Sequence, residues 1–378
     1  MRMMLVIHSL TRGGAERVMS VISNYWAEAG HEVSLVVIEN YNNDDYFLRP
    51  GVTRLALDLG QRSHNPILGL WNNLQRLRRL RAAARRLRPQ VVMSFMTHTN
   101  LLVLLAFLGI NIPVIVSERV DPAHWDNGAF RNWLRDRLYP RAAAVVVQTE
   151  KVRQYMQRIM PSARLCVIAN PVPELDPDDS NAHLPLKVRI PMRDEAKVIC
   201  AMGRLNSQKG FDLLIQAFGK STFGRPDWQL VIFGEGPERP ALMELIMRLG
   251  LQARVHLPGQ VAAVRKCLAE TDIFVLSSRF EGFPNVLLEA MACGLPVISY
   301  DCPSGPAEII RHGHDGLLVR AQDVDALAAT LAELMANETQ RAELGRNAQE
   351  VIERFSIQQI MGKWDELLDR VTVCNVSI

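Results

Sequence analysis

Short runs of aliphatic and β-branched residues alternate, along almost the whole chain, with longer segments whose apolar residues recur every three or four positions. The strand-like runs are Met3–His8, Glu32–Ile38, Gln90–Phe95, Pro113–Ser117 and Ala143–Gln148, then Val198–Ala201, Gln229–Phe233, Ile273–Leu276 and Pro296–Ser299. A strand apolar at successive positions must be buried on both faces, which calls for helices above and below a parallel sheet. At 378 residues the chain is longer than one hydrophobic core usually supports. The pattern therefore predicts an α/β protein with two such domains.

A break separates the two series. Pro171, Pro173, Pro177, Pro185 and Pro191 fall close together, with Asp176, Asp178 and Asp179 among them. Proline removes a backbone donor and disfavours helix before it, so 171–196 reads as a linker between domains 1–170 and 197–355. Net charge supports the division: the overall value of +3 conceals +10 up to Asn170 and −7 beyond it. So balanced a total gives no argument for nucleic acid. Paired open sheets of this kind are expected to take their ligand at the carboxyl ends of the strands, in a cleft between domains.

Six cysteines are scattered without a C-x-x-C pair, which suits reduced thiols in a cytoplasmic protein better than disulfides or a metal site. The longest apolar run, Leu101 to Ile110, ends at Asn111 and Pro113, well short of the roughly 20 residues a membrane span requires.

The strongest local signal runs from Arg279 to Ile298. A buried strand leads into a loop holding Glu281, Gly282, Phe283 and Pro284, and Asn285 opens a helix. Amides at a helix start suit an anionic or strongly polar ligand. Glu289 falls one turn later, where a carboxylate could accept two hydroxyls of a diol. Upstream, Gly203, Arg204 and Lys209 lie on a loop before another helix and place two cations where a diphosphate could sit. Taken alone, each of these features also fits a capped or solvated loop.

Together they resemble the family-4 retaining glycosyltransferases of the GT-B fold. The segment E-G-F-P-N-x-x-L-E-A-M-A-x-G-x-P-V matches that family, and Gly203 to Gly210 resembles its G-R-L-x-x-x-K-G loop. Gly13-Gly14-Ala15-Glu16-Arg17 resembles its first strand-to-helix turn, and Gly234-Glu235-Gly236-Pro237 its G-x-G-P turn. The latter lacks the third glycine of a dinucleotide fingerprint, so NAD is rejected. The resemblance implies two Rossmann-like parallel-sheet domains facing across a cleft, with 356–378 returning to the first domain. It implies that Arg204 and Lys209 neutralise the departing diphosphate and that Glu289 holds the ribose. Glu281 with the Phe283–Asn285 amides would hold the donor sugar, with Gly13, Gly14, Gly203 and Gly282 around it. His98 is the candidate for the histidine that contacts the transferred sugar. Glu118 and Arg119, in the loop that most resembles exopolysaccharide and lipid-linked-oligosaccharide hexosaminyltransferases, are acceptor-side candidates.

The implied reaction is retaining, metal-independent transfer from a nucleotide sugar, UDP-linked rather than GDP-linked, to a polyprenyl-diphosphate-linked glycan or polysaccharide precursor. The alternatives are a non-catalytic nucleotide-sugar-binding scaffold and a GT-B sugar-nucleotide epimerase. No cofactor is expected. Asp323 and Asp325 spell D-x-D but open a helix, where capping explains them. His312, His314 and Asp315 read as a turn rather than a metal site.

Arg76, Arg78, Arg79, Arg81, Arg85, Arg86 and Arg88 crowd thirteen residues, while Leu70, Leu74, Leu77, Ala84 and Leu87 recur at helical spacing. The reading is an amphipathic helix whose Arg78, Arg79, Arg85 and Arg86 meet an anionic membrane surface, making the protein peripheral on the inner face of the cytoplasmic membrane. A solvated helix is the plainer explanation, and nucleic acid the weaker rival.

Overall fold

The computed structural model describes residues 1–11, 13–39, 44–59, 66–125, 128–161, 164–172, 190, 195–222, 224–261 and 263–373. The chain divides into two compact units, Met1–Pro171 with Gln358–Ile378, and Val172–Ile357. Pro173, Pro177, Pro185 and Pro191, and the side chain of Leu70, lie outside the described residues.

The first unit is a seven-stranded sheet in the order β3-β2-β1-β4-β5-β6-β7, every neighbouring pair parallel. Its strands are β1 (Arg2–Ile7), β2 (Glu32–Val37), β3 (Val52–Ala56), β4 (Val91–Phe95), β5 (Val114–Ser117), β6 (Ala144–Val147) and β7 (Leu165–Val167). Its helices are α1 (Gly14–Glu28), α2 (Pro66–Leu87), α3 (Thr97–Ala106), α4 (Ala129–Leu138) and α5 (Glu150–Met156). Strand side chains alternate between faces. Met4, Val6 and Val92 pack with Leu80, Leu102, Leu138 and Met156 of α2 to α5.

The second unit has six strands in the order β10-β9-β8-β11-β12-β13, again all parallel. These are β8 (Lys197–Met202), β9 (Trp228–Phe233), β10 (Val255–Gly259), β11 (Ile273–Leu276), β12 (Val297–Asp301) and β13 (Leu317–Arg320). The helices are α6 (Phe211–Ser221), α7 (Arg239–Arg248), α8 (Val264–Ala269), α9 (Asn285–Ala292), α10 (Pro306–Ile309), α11 (Val324–Ala336), α12 (Glu338–Ala348) and α13 (Val351–Arg354). The last helix, α14 (Ile357–Val373), belongs for nearly all its length to the first unit.

The reason is Trp364. It is fully buried, edge-on to Trp26 of α1 at 6.2 Å and stacked on Phe95 of β4 at 6.3 Å. Trp26 Nε1 donates to Asp365 Oδ1 at 2.8 Å. A side chain so placed contributes about 3–5 kcal/mol against truncation to Ala, enough to hold the helix on the unit that begins the chain.

Asp323 caps α11, its Oδ1 accepting from Ala326 N at 2.9 Å, while Asp325 pairs with Lys220. Asp315 is fully buried and accepts from Arg311 and Arg354; His312 Nδ1 accepts from Leu318 N. The turn reading of that cluster matches these contacts.

Candidate active site

In the second unit the site is built from two loops that leave neighbouring strands at their carboxyl ends. After β8 the chain passes Gly203, exposed Arg204 and buried Leu205, then makes one 3-10 turn, Ser207–Lys209. Asn206 caps that turn by accepting from Lys209 N at 3.3 Å. Gly210 follows in the left-handed region, φ 61°, and a Cβ there would stand 2.1 Å from Ser277 O. Only glycine satisfies both demands. Ser277 Oγ returns a hydrogen bond to Lys209 O at 2.9 Å, so the loop after β8 is pinned to the loop after β11. The Gly234–Pro237 turn lies flat on the same loop, with a Cβ at Gly234 1.8 Å from Gly203 O.

This pinning brings together side chains 72 positions apart. Lys209 Nζ donates to Glu281 Oε1 at 2.6 Å, and Ser278 Oγ donates to the same oxygen at 2.5 Å. The pair is mostly sheltered, with Glu281 7% and Lys209 18% exposed. The neighbouring cation, Arg279, is used locally: it pairs with Asp212 and donates to Ser207 O. The Arg204 guanidinium has no ion pair among the described residues. The site thus holds one cation oriented by a carboxylate and one cation open to solvent.

Beyond Glu281, Phe283 is buried edge-on against Phe355 at 5.6 Å. Ser304 Oγ donates to Gly282 O at 3.2 Å, fixing the loop that precedes α9. That helix begins after Pro284 with no side-chain cap and no acid in its first turn, and the positive end of its dipole faces the loop. Glu289 is buried on α9 at 3% exposure. A solvated carboxylate is therefore not what stands there.

In the first unit, Gly13 N donates to the Tyr46 hydroxyl, which donates to Gly13 O at 2.9 Å, fixing the turn into Gly14 and α1. His98 opens α3 with its ring edge-on to His8 at 6.0 Å. Burial, His8, Arg131 and Arg76 together push its pKa down to about 4, so near neutral pH it is an uncharged imidazole with one donor and one acceptor.

Glu118 and Arg119 are not on the surface. Glu118 is 1% exposed, accepts from Thr97 Oγ1 at 2.9 Å and from the Tyr139 hydroxyl, and burial raises its pKa. Arg119 is 7% exposed and lies over the Phe95 ring at 3.7 Å, with Nη1 donating to Asn170 Oδ1 at 2.6 Å. Burial lowers its pKa to about 9. Both are interior groups that fix the segment following β5.

The arginine helix is α2. Arg78, Arg79, Arg85 and Arg86 are exposed, whereas Arg76 and Arg81 donate to the carbonyls of Leu59 and Ala106. The sequence places Leu74 on the apolar face; the structure puts it outside, 39% exposed, near Trp71 at 51%. The buried face runs through Leu80, Ala83 and Ala84, with Leu77 and Leu87 packed against it.

Sequence reasoning missed Ser278 and His8. Both immediately or almost immediately follow the end of a parallel strand, the place where such sheets present ligand groups, and that position was their signal.

Residues 13–171 match the family model Glycosyl transferase 4-like domain, and residues 186–351 match Glycosyl transferases group 1. The chain is 26% identical over 372 residues to the Campylobacter jejuni GalNAc-alpha-(1->4)-GalNAc-alpha-(1->3)-diNAcBac-PP-undecaprenol alpha-1,4-N-acetyl-D-galactosaminyltransferase, covering 98% of this chain and 99% of that protein. It is 39% identical over 231 residues, 60% of its length, to an exopolysaccharide phosphotransferase of Streptomyces coelicolor, of which the match spans only 23%. Among solved structures, Anabaena HepE in complex with UDP is similar at a TM-score of 0.79 and 21% identity, covering 98% of this chain and 100% of that one.

Proposed function

We propose a specific reaction for this chain, which belongs to the group 1 glycosyltransferases and has the GT-B fold: transfer of a sugar, with retention at its anomeric carbon, from a UDP-sugar to a hydroxyl of a polyprenyl-diphosphate-linked glycan. The observation that carries this reading is the Lys209–Glu281–Ser278 cluster beside the open Arg204 cation. The relatives add the substrate classes: one is named for a PP-undecaprenol-linked substrate, another is a complex with UDP.

An ammonium has three donors. Glu281 takes one from Lys209 and aims the rest, so Lys209 and Arg204 stabilise the negative charge that grows on the departing diphosphate, and no metal ion is needed for that task. Glu289 holds the ribose diol. The second oxygen of Glu281 and the start of α9, with Gly282, Phe283, Pro284 and Asn285, hold the donor sugar, and Gly203 leaves room beside Lys209. The acceptor oxygen bonds to C1 on the face from which the C1–O bond to the diphosphate breaks, and the acceptor proton passes to a diphosphate oxygen. The carboxylates bind and orient; neither acts as the nucleophile of a retaining hydrolase.

On the first unit, neutral His98 orients the sugar, Gly13 and Gly14 allow close backbone approach, and Glu118 and Arg119 shape the acceptor side from within. Arg78, Arg79, Arg85 and Arg86 hold the protein peripherally at the inner face of the cytoplasmic membrane, each contributing about 1 kcal/mol near anionic lipid.

The test supplies purified protein with UDP-sugars or GDP-sugars and a polyprenyl-diphosphate-linked acceptor, with EDTA present. UDP is expected to form in step with a lengthened acceptor. Consumption of GDP-sugars alone, loss of activity in EDTA, or UDP-sugar turnover without acceptor would each contradict the proposal.

A further inference from the structure

The first unit carries a second exposed patch that none of the roles above uses. On α4, Phe130 and Trp133 are 72% and 53% exposed, and their rings stack at 6.0 Å. Arg137 lies over the Trp133 ring at 5.5 Å, and Arg131, next to Phe130 in sequence, is exposed. Arg135, in contrast, is turned inward and pairs with Asp136, the helix's one acid. Single exposed hydrophobics are ordinary; a stacked aromatic pair with an arginine over one ring is the composition of an interface.

The patch lies one helix away from the arginine helix. α2 packs on α3, and α3 packs on α4. These helices run antiparallel to the strands, so their first turns gather at the carboxyl end of the sheet. There α2 shows Trp71 and Leu74, with Arg78 over the Trp71 ring at 6.0 Å. His98, at the start of α3, feels the charges of both Arg76 of α2 and Arg131 of α4. Across α2, α3 and α4 there are nine arginines and a single acidic residue, Asp136.

We propose that α2 and α4 form one membrane-docking face, in which Trp71, Leu74, Phe130 and Trp133 enter the interfacial layer of an anionic bilayer while Arg78, Arg131 and Arg137 bind lipid phosphates. The proposal rests on the membrane reading of the arginines given above and extends it from attraction to insertion. Trp and Phe with snorkelling arginines suit the boundary between head groups and acyl chains. A second copy of this chain fits poorly, because a two-fold contact would set arginine against arginine. A peptide or nucleic acid would not account for Leu74 beside Trp71.

The test uses the full chain with vesicles of phosphatidylcholine mixed with phosphatidylglycerol, whose anionic surface attracts polybasic segments, or of phosphatidylcholine alone. Two variants are compared: Phe130→Ser with Trp133→Ser, and Arg78, Arg79, Arg85 and Arg86→Gln. All six side chains are exposed, so both variants keep the fold. The native protein should retain part of its binding in about 1 M salt, where charge is screened within about 3 Å, and its tryptophan emission should be quenched by brominated acyl chains. The aromatic variant should lose that salt-resistant part, its vesicle affinity falling at least about tenfold; the arginine variant should lose the salt-sensitive part. Transfer to acceptor in detergent should be native-like in the aromatic variant. If the aromatic variant binds vesicles like the native chain, insertion is wrong even where the charge reading stands. If it turns a dimer into a monomer without changing vesicle affinity, the face is a contact between copies. Binding of single-stranded oligonucleotide in preference to vesicles would also overturn the proposal. Absence of transfer in the native protein would strike the activity reading instead, and leaves the vesicle result to be judged by itself.

Discussion

Replacing Lys209 by alanine should have two separable consequences. Lys209 Nζ lies 2.6 Å from Glu281 Oε1, with both side chains mostly sheltered. Removing the ammonium leaves a buried carboxylate with Ser278 as its hydrogen-bond donor. Breaking a buried ion pair costs about 3–5 kcal/mol, and the partial exposure of Lys209 puts this case near the lower end, about 3 kcal/mol. For a unit of this size that is a fall in Tm of about 6–12 °C. Turnover should suffer independently, because a donor aimed at charge developing in the transition state is worth about 2.7–4 kcal/mol, or about 10²–10³ in kcat. Adding Glu281→Gln removes the stranded charge and should restore most of the melting temperature, while kcat stays low. The assay is UDP release at a temperature where both variants are folded, beside a thermal melt. Near-native kcat in Lys209→Ala, or recovery of kcat together with Tm in the double variant, would show that Lys209 is a structural ion-pair partner and that the diphosphate sits elsewhere.

Three further outcomes are expected. Glu289→Ala should raise the donor KM with kcat little changed, since a ribose is held alike in ground and transition states; an unchanged KM with a fallen kcat refutes the ribose assignment. Gly210→Ala should destabilise the second unit by several kcal/mol, about 1–2 of them from the left-handed backbone alone and the rest from the approach to Ser277 O; a denaturation midpoint within error of native would contradict the packing described. For His98, the folded pKa of about 4 lies below the 6.5 of the unfolded chain. The unfolded state then binds the extra proton between those values, so stability falls as pH drops through that window, by at most about 1.4 kcal/mol per unit. His98→Gln should flatten this part of the stability curve, and parallel curves would refute the burial assigned to the imidazole.

The two parallel sheets were legible because their central strands are apolar at nearly every position. The four strands that went unread, β3, β7, β10 and β13, are the edges of the two sheets. An edge strand is covered on fewer sides, so Val52–Ala56 carries Thr53 and Arg54, and Val255–Gly259 carries His256 and Pro258. Such short, mixed runs have no period to detect. In the site, the loops holding Lys209 and Glu281 could be named from their motifs, yet their hydrogen bond spans 72 positions and depends on the Gly210–Ser277 approach, which no local pattern encodes. The Glu118 and Arg119 positions, taken as acceptor-side candidates from the resemblance of their loop, are turned inward by Tyr139, Thr97 and Phe95, partners supplied by distant elements. Leu74 was misplaced for a similar reason: helical periodicity aligns it with Leu77, Ala84 and Leu87, which do pack inward, but the packed face turns toward Leu80 and Ala83 and leaves Leu74 outside.

The anomeric configuration of the product tests the central claim most directly. With a UDP-sugar of defined α-configuration, a lipid-linked acceptor and this enzyme, the one-bond and vicinal proton couplings of the new linkage should show an α-glycoside, as retention without a protein nucleophile requires. A β-linkage would mean that the acceptor attacks from the face opposite the diphosphate, and the roles given to Arg204, Lys209 and Glu281 in front-side transfer would fall with it.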